Sequence, residues 1–189
     1  GGERLRSVGR AAPRCEVRIA DAEGREVPPN QVGEIQIRGP NVMRGYLDDV
    51  EATRAVLVDG WLSSGDLGAK DDAGYVFIVG RKKDVIISGG FNVYAAEVEA
   101  ALSAHEGVLE AAVIGVPHDD WGETVVAYVG PRPGADRTVE ELHALARSRL
   151  SGYKCPRRIE LVLDLPKNAS GKIQKRELAR RVNEAPSGE

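Results

Sequence analysis

The sequence predicts an α+β protein in two parts. Residues 1–83 read as a β-rich subdomain, a small twisted antiparallel sheet or barrel, and residues 84–189 as a small α+β domain. Three observations predict this. Up to about residue 80 the apolar residues mostly alternate with polar ones, as in CEVRIAD and GEIQIRG. After GRKKD the pattern changes, and runs with helical spacing alternate with short apolar runs. The composition, 42% hydrophobic and 29% charged over 189 residues, is that of an ordinary globular chain long enough for one large or two small domains.

The elements follow in order. In the first part, Val17 and Ile19 face one side of a strand, and Ile35 and Ile37 one side of the next. Between them DAEGREVPPNQVG is turn chemistry, with Gly24, Pro28 and Pro29. EATRAVL reads as a short helix with Asp48 as its N-cap and Glu51 three residues on, and YVFIVG as a third strand. In the second part, AAEVEAALSAH is helical, with Val98 and Leu102 on one face, and LEAAVIGV and TVVAYVG are strands. RTVEELHALARSRLSG is the clearest helix. Thr138 and Glu141 form a capping box, Val139, Leu142, Ala146 and Leu150 line one face, and Gly152 is the expected stop. IELVLDLP reads as a strand. A last helix runs from about Gln174 to Val182, with Leu178 and Val182 paired at i,i+4. The closing EAPSGE is expected to fray. No internal repeat is visible.

Composition excludes several classes of function. A net charge of −3 argues against non-specific binding to nucleic acid. The two cysteines, Cys15 and Cys155, are far apart and form no CxxC, which points to a reducing, cytoplasmic setting with neither a disulfide framework nor a zinc site. His105, His118 and His143 show no metal-ligand spacing, so no metal site is expected. No apolar run reaches the roughly 18 residues of a membrane span, and no signal-peptide pattern opens the chain. The sole methionine is Met43 and the chain opens Gly1-Gly2, which reads as a processed start or, preferably, as a piece of something longer.

One motif near the end, LPKNASGKIQKREL, poses a chemical question, namely what Lys172 is for. A phosphate-cradling P-loop needs G-x-x-x-x-G-K-[ST]. Gly171-Lys172 matches only its end. Pro166 stands where the first glycine belongs, and Ile173 replaces the hydroxyl residue. Taken alone, Lys172 is a solvated loop cation ahead of a helix. Four blocks in order give it a context: GWLSSGDLG, GRKKDVIISGGFNVYAAEVE, SGYKCPRR and LPKNASGKIQKREL. Together they resemble the C-terminal third of the adenylate-forming enzymes, which include acyl-CoA synthetases, the adenylation domains of peptide synthetases and beetle luciferases. With IISGGFNVYAAEVE and YKCPRR, the chain is most similar to a fatty-acyl or aryl-CoA ligase.

The resemblance implies a two-step reaction. A carboxylate attacks the α-phosphorus of Mg-ATP to give an acyl-adenylate and pyrophosphate, and the thiol of coenzyme A then displaces AMP. It also implies that residues 1–83 close a large N-terminal domain, that residues 84–189 form a mobile lid, and that the two meet at a hinge at Lys83 and Asp84. The glycine-rich phosphate loop and adenine motif of such enzymes, and most of the magnesium and triphosphate contacts, belong to the large domain. Neither motif occurs in these residues, so the chain alone is expected to be inactive.

The same resemblance assigns roles by position. Asp66, in SGDLG, would bind the ribose diol of ATP or AMP, since two carboxylate oxygens accept from two hydroxyls; read by itself it is an Asx turn. Arg81 would reach the ribose and phosphate side, where local reading sees only a surface run Arg81-Lys82-Lys83. Asp84 would absorb the hinge rotation, with Lys83 holding one orientation by pairing. Lys172 would be catalytic, reaching the reacting carboxylate and the α-phosphate. Gly89 and Gly90 would line a tunnel for the pantetheine arm of coenzyme A, besides making a hairpin turn. Trp121 would stand near that tunnel, or else cover the small core. Lys154, Arg157 and Arg158 would meet coenzyme A phosphates, though each also reads as a solvated surface cation. Cys155 has no neighbouring base in sequence and is not a nucleophile candidate. The expected partners are a small carboxylic acid, ATP and coenzyme A, with no nucleic acid and no membrane span. Peripheral contact with a bilayer and regulatory acetylation of Lys172 fit the same family. An amino-acid adenylation domain, a luciferase-like oxidase and a noncatalytic module using the basic residues 172–181 stand as alternatives.

Overall fold

The structure, a computed structural model, describes residues 3–135 and 138–184. The chain divides into two compact units, Gly1–Lys83 and Asp84–Glu189. Of the tail EAPSGE only Glu184 is described, and the expected fraying falls on residues outside the described ones.

The first unit holds β1 (Glu16–Ala20), β2 (Gly33–Arg38), α1 (Val50–Val56), β3 (Leu57–Val58), β4 (Trp61–Lys70) and β5 (Val76–Arg81). They form one antiparallel sheet in the order β1-β2-β4-β3, with β5 also paired to β4. The alternation read from the sequence sets the register. Val17 lies opposite Ile37 and Ile19 opposite Ile35, and Ile19, Ile35 and Val76 form the core with Val17, Val27 and Ile37 packed against it. Two expectations need correction. The N-cap of α1 is Asp49, whose Oδ1 accepts the Ala52 N–H at 2.8 Å. Asp48 sits outside the helix with φ +52, one residue too early for its side chain to serve that amide. The ten-residue β4 has no counterpart among the strands read from sequence, because the glycines and serines of WLSSGDLGAK hide its alternation.

The second unit holds β6 (Val85–Ser88), β7 (Phe91–Tyr94), α2 (Ala95–Ser103), β8 (Val108–His118), β9 (Gly122–Pro131), α3 (Val139–Arg149), β10 (Arg158–Leu161) and α4 (Lys175–Glu184). The sheet order is β10-β9-β6-β7, with β8 paired to β9. β10 runs parallel to β9 because α3 carries the chain across between them. The sheet is covered on both faces. Val113, Val125, Ala127 and Val129 pack with Val98 and Leu102 of α2 and Leu142 and Ala146 of α3. The alternate residues Ala112, Ile114, Val126 and Tyr128 pack with Leu165 and with Leu178 of α4. Burial on both sides explains why VVAYVG is apolar without a break.

The capping box of α3 is present. Thr138 Oγ1 accepts the Glu141 N–H, and Glu141 Oε2 accepts the Thr138 N–H, both at 3.2 Å. Its end differs from expectation: the helix stops at the extended residue Leu150, whose N–H donates to the Ala146 carbonyl at 2.9 Å, and Gly152 instead opens a 3-10 turn through Lys154. IELVLDLP forms a strand only as far as Leu161. Leu163 is fully exposed, and Leu165 returns to the core.

Candidate functional site

The first cluster is made by an irregularity in the pairing of β2 with β4. Glu34 pairs with Leu67 and Gln36 with Ser63, so Ile35 alone faces Ser64, Gly65 and Asp66. Such a bulge re-aims the side chains it carries. Its shape is fixed locally. Gly65 takes φ +74, and its N–H donates to Glu34 Oε1 at 3.2 Å. Ser64 Oγ donates to the Ile35 carbonyl at 2.7 Å and accepts the Asp66 N–H at 3.1 Å. Asp66 is therefore a strand residue on a bulge rather than the tip of a free turn. It faces Arg81 in register, and Arg81 Nε donates to Asp66 Oδ1 at 2.9 Å. The two side chains are 31% and 43% exposed. Among the described residues no other partner engages Asp66 Oδ2 or the terminal guanidinium nitrogens, so acceptor and donors remain for a ligand. A cleft of about 350 Å³ beside them is lined by Ser64, Gly65, Arg81, Lys82 and Lys83. Lys82 is tied to Glu34 Oε2 at 2.9 Å. Lys83 and Asp84 lie in the 3-10 turn Lys82–Asp84 that follows β5.

The second cluster surrounds the β6–β7 hairpin. Gly89 and Gly90 take φ +57 and +81, the two left-handed residues of a tight hairpin turn. A Cβ on Gly89 would lie 2.6 Å from the Trp121 ring, whereas one on Gly90 would meet nothing within 4 Å. The Gly89 N–H donates to the Trp121 carbonyl at 2.9 Å, and the Ile87 N–H to Glu123 Oε2 at 2.8 Å. Trp121 is 41% exposed and belongs to neither core, so it does not serve as a core cover. Its ring lies on Gly89 and under the Arg157 guanidinium, 4.5 Å from the ring centroid.

The predicted basic patch is largely neutralised. Lys154 Nζ lies 2.8 Å from both oxygens of Glu97, and hydrogen bonding to that carboxylate pushes its pKa above the usual lysine value. Arg158 pairs with Glu160 at 3.0 Å. Arg157 alone of the three is in no ion pair among the described residues. Burial pushes the Cys155 thiol up, away from the reactive thiolate. Sequence reading missed Phe91 and Tyr153, exposed residues beside the hairpin whose rings pack 4.8 Å apart. Both lie within the blocks GRKKDVIISGGFNVYAAEVE and SGYKCPRR, but their contact is made by tertiary packing, which the blocks do not show.

The third cluster is the loop of Lys172. Lys167 bridges Ile173, and the Gln174 N–H donates to the Pro166 carbonyl at 2.7 Å. Both flanks are anchored: Lys167 pairs with Glu110 of β8 at 2.8 Å, and Lys175 with Glu99 of α2 at 2.7 Å. Ile173 packs against the core that holds Leu165 and Leu178. Of the three lysines in this segment, Lys172 is the one with no ion-pair partner among the described residues. It is exposed and follows Gly171, which takes φ +77. The arrangement presents one free ammonium from a braced loop. No group of three or more His, Cys, Asp or Glu among the described residues is placed to hold a metal ion.

The family model described as AMP-binding enzyme C-terminal domain matches residues 97–172, and the AMP-binding enzyme model matches residues 1–47. An indoleacetate–CoA ligase from Aromatoleum aromaticum is 46% identical over 89% of this chain and 33% of its own length. A long-chain-fatty-acid–CoA ligase from Bacillus subtilis is 48% identical over 91% of this chain and 31% of its own. Among solved structures, o-succinylbenzoate CoA synthetase from Bacillus subtilis, in complex with its acyl-adenylate intermediate, superposes with a TM-score of 0.87 and 37% identity. That match covers 99% of this chain and 37% of the other. ATP-bound MatB from Rhodopseudomonas palustris superposes with a TM-score of 0.88 and 41% identity over 95% of this chain and 36% of the other. The chain thus spans about a third of the length of the relatives it matches. The two family models together account for more than half of its residues, and the chain belongs to the AMP-binding enzyme family.

Proposed function

We propose that the chain is part of an ATP-dependent ligase that activates a carboxylic acid as its acyl-adenylate and passes the acyl group to coenzyme A. The observation that carries this reading is Lys172, an unpaired ammonium on a loop anchored at both flanks. In the first step a carboxylate oxygen bonds to the α-phosphorus of ATP and pyrophosphate leaves. Both reactants are anionic. A cation about 4 Å away offsets their repulsion by up to about 4 kcal/mol at an effective dielectric near 20. Asp66 Oδ2 accepts from a ribose hydroxyl, and the free guanidinium nitrogens of Arg81 donate to the same side of the nucleotide. In the second step the thiol sulfur of coenzyme A bonds to the acyl carbon and AMP leaves. The hairpin of Gly89 and Gly90, with Trp121 and Arg157 beside it, receives the coenzyme A arm. Asp84 is the residue about which the C-terminal unit turns between the steps. Lys154 contributes through its pairing with Glu97 rather than as a free cation.

Relatives that act on indoleacetate and on long-chain fatty acids support an aryl or fatty-acyl substrate. The test is to incubate the complete enzyme with ATP, coenzyme A and carboxylic acids of graded length and ring content. The expected products are an acyl-CoA, AMP and pyrophosphate in equal amounts. Release of ADP and phosphate, or thioester without AMP, would overturn the proposal.

A further inference from the structure

The base of the Lys172 loop is closed by main chain, but its tip is held by one side chain. Asn168 Oδ1 accepts the Ser170 N–H at 3.1 Å and the Lys172 N–H at 2.9 Å. The Asn168 main-chain N–H donates to the Lys172 carbonyl at 2.9 Å, and its carbonyl accepts the Gly171 N–H at 2.9 Å. Both backbone polar groups of Lys172 are thus bonded to the same residue. Among the described residues no other side chain bonds into this turn.

The physics of the turn makes that contact matter. Gly171 allows the left-handed conformation, φ +77, but stiffens nothing. An added Cβ there would meet no atom within 4 Å, so packing does not hold the tip either. Beyond the two main-chain bonds to Asn168, rigidity at the tip therefore comes from the Asn168 carboxamide, the one acceptor for the Ser170 and Lys172 amides among the described residues. Without that acceptor the two amides turn to water, and the tip regains the backbone freedom that the turn had removed. Lys167 and Lys175 cannot replace the Lys172 ammonium, because each is held by a glutamate.

We infer that Asn168 is a positioning residue for Lys172. Its carboxamide oxygen sets the backbone from which the ammonium is presented. The inference rests on the proposed role of Lys172 in adenylate formation and adds to it the group that aims the lysine.

The test uses the complete enzyme with four variants: Lys172→Ala, Asn168→Ala, Asn168→Ser and the double variant with alanine at both positions. Adenylate formation is followed by pyrophosphate release, and thioester formation is followed separately from premade acyl-adenylate. Asn168→Ala is expected to lower kcat for adenylation about 10- to 100-fold, the scale of an ångström-level misplacement. KM for ATP and the thioester step stay unchanged. Asn168→Ser keeps a short acceptor suited to the same kind of turn and regains part of the rate. Joining Asn168→Ala to Lys172→Ala adds no further loss, because the asparagine acts through the lysine. Full adenylation by Asn168→Ala, with Lys172→Ala crippled, overturns the inference and leaves the role of Lys172 standing. Equal loss in both half-reactions, or additive losses in the double variant, overturns it as well. Full adenylation by Lys172→Ala removes the role of the lysine and the inference together.

Discussion

Gly89 and Gly90 are adjacent, both left-handed and both glycine, yet they differ in what surrounds them. Gly89 lies against the Trp121 ring and Gly90 faces open space. Gly90→Ala should therefore pay only the left-handed strain, about 1–2 kcal/mol. Gly89→Ala must in addition move the indole. In a Trp61→Phe background, which leaves Trp121 as the reporter, urea unfolding and tryptophan emission separate the two. Gly89→Ala should be the less stable and shift the emission, while Gly90→Ala leaves the emission unchanged. Equal effects at both positions would contradict the packing described. The family resemblance carried by the four motif blocks, rather than local spacing, singled out Asp66, Arg81, Lys172 and the glycine pair. It could not supply their neighbours. Asp66 reads as a turn residue until the pairing of β2 with β4 puts three residues opposite Ile35. Lys154 reads as a free cation until Glu97, far away in sequence, closes on it. Such partners are set by tertiary packing, which leaves no local trace. Asn168 is the exception, since Asn three residues ahead of Gly171 is ordinary turn chemistry and was legible in principle.

The elements most legible in sequence are those with one buried face. α2, α3 and α4 each bury a stripe at helical spacing, with Val98 and Leu102, Leu142 and Ala146, and Leu178 turned inward. β4 was illegible because glycines and serines stand where an alternating pattern would show. α4 also responds to pH. Hydrogen bonds from Arg180 and then Arg181 hold the Glu177 carboxyl down to about 2. Its folded value lies below the ordinary carboxylate value of 4.5, so whatever stabilisation it contributes is complete above that value. It is lost as pH falls toward 2. The three side chains are at least partly solvent-exposed, so the effect is small and confined to this helix. Relative to the intrinsic exchange rate at each pH, protection of the α4 amides should fall more between pH 4.5 and 2 in the unsubstituted protein than in Glu177→Gln. Identical pH dependence in the two would exclude this origin.

Across the whole molecule, each unit has its own core and its own part of the proposed chemistry. The first unit holds Asp66 and Arg81 on a bulged sheet, and the second holds the glycine hairpin and the braced Lys172 loop. The division near Lys83 was readable because the hydrophobic period changes there. The identity of the acid was not, because no residue of this chain has been tied to an acyl pocket. The proposal stands on Lys172 serving one chemical step and not the other. The decisive measurement is single-turnover kinetics of the complete enzyme, unsubstituted and Lys172→Ala, with adenylate formation and thioester formation timed separately. Adenylate formation should slow by about 10²–10³, the usual cost of one lost electrostatic stabiliser, while premade acyl-adenylate reacts with coenzyme A at the unsubstituted rate. Comparable slowing of both steps, or of neither, would contradict it.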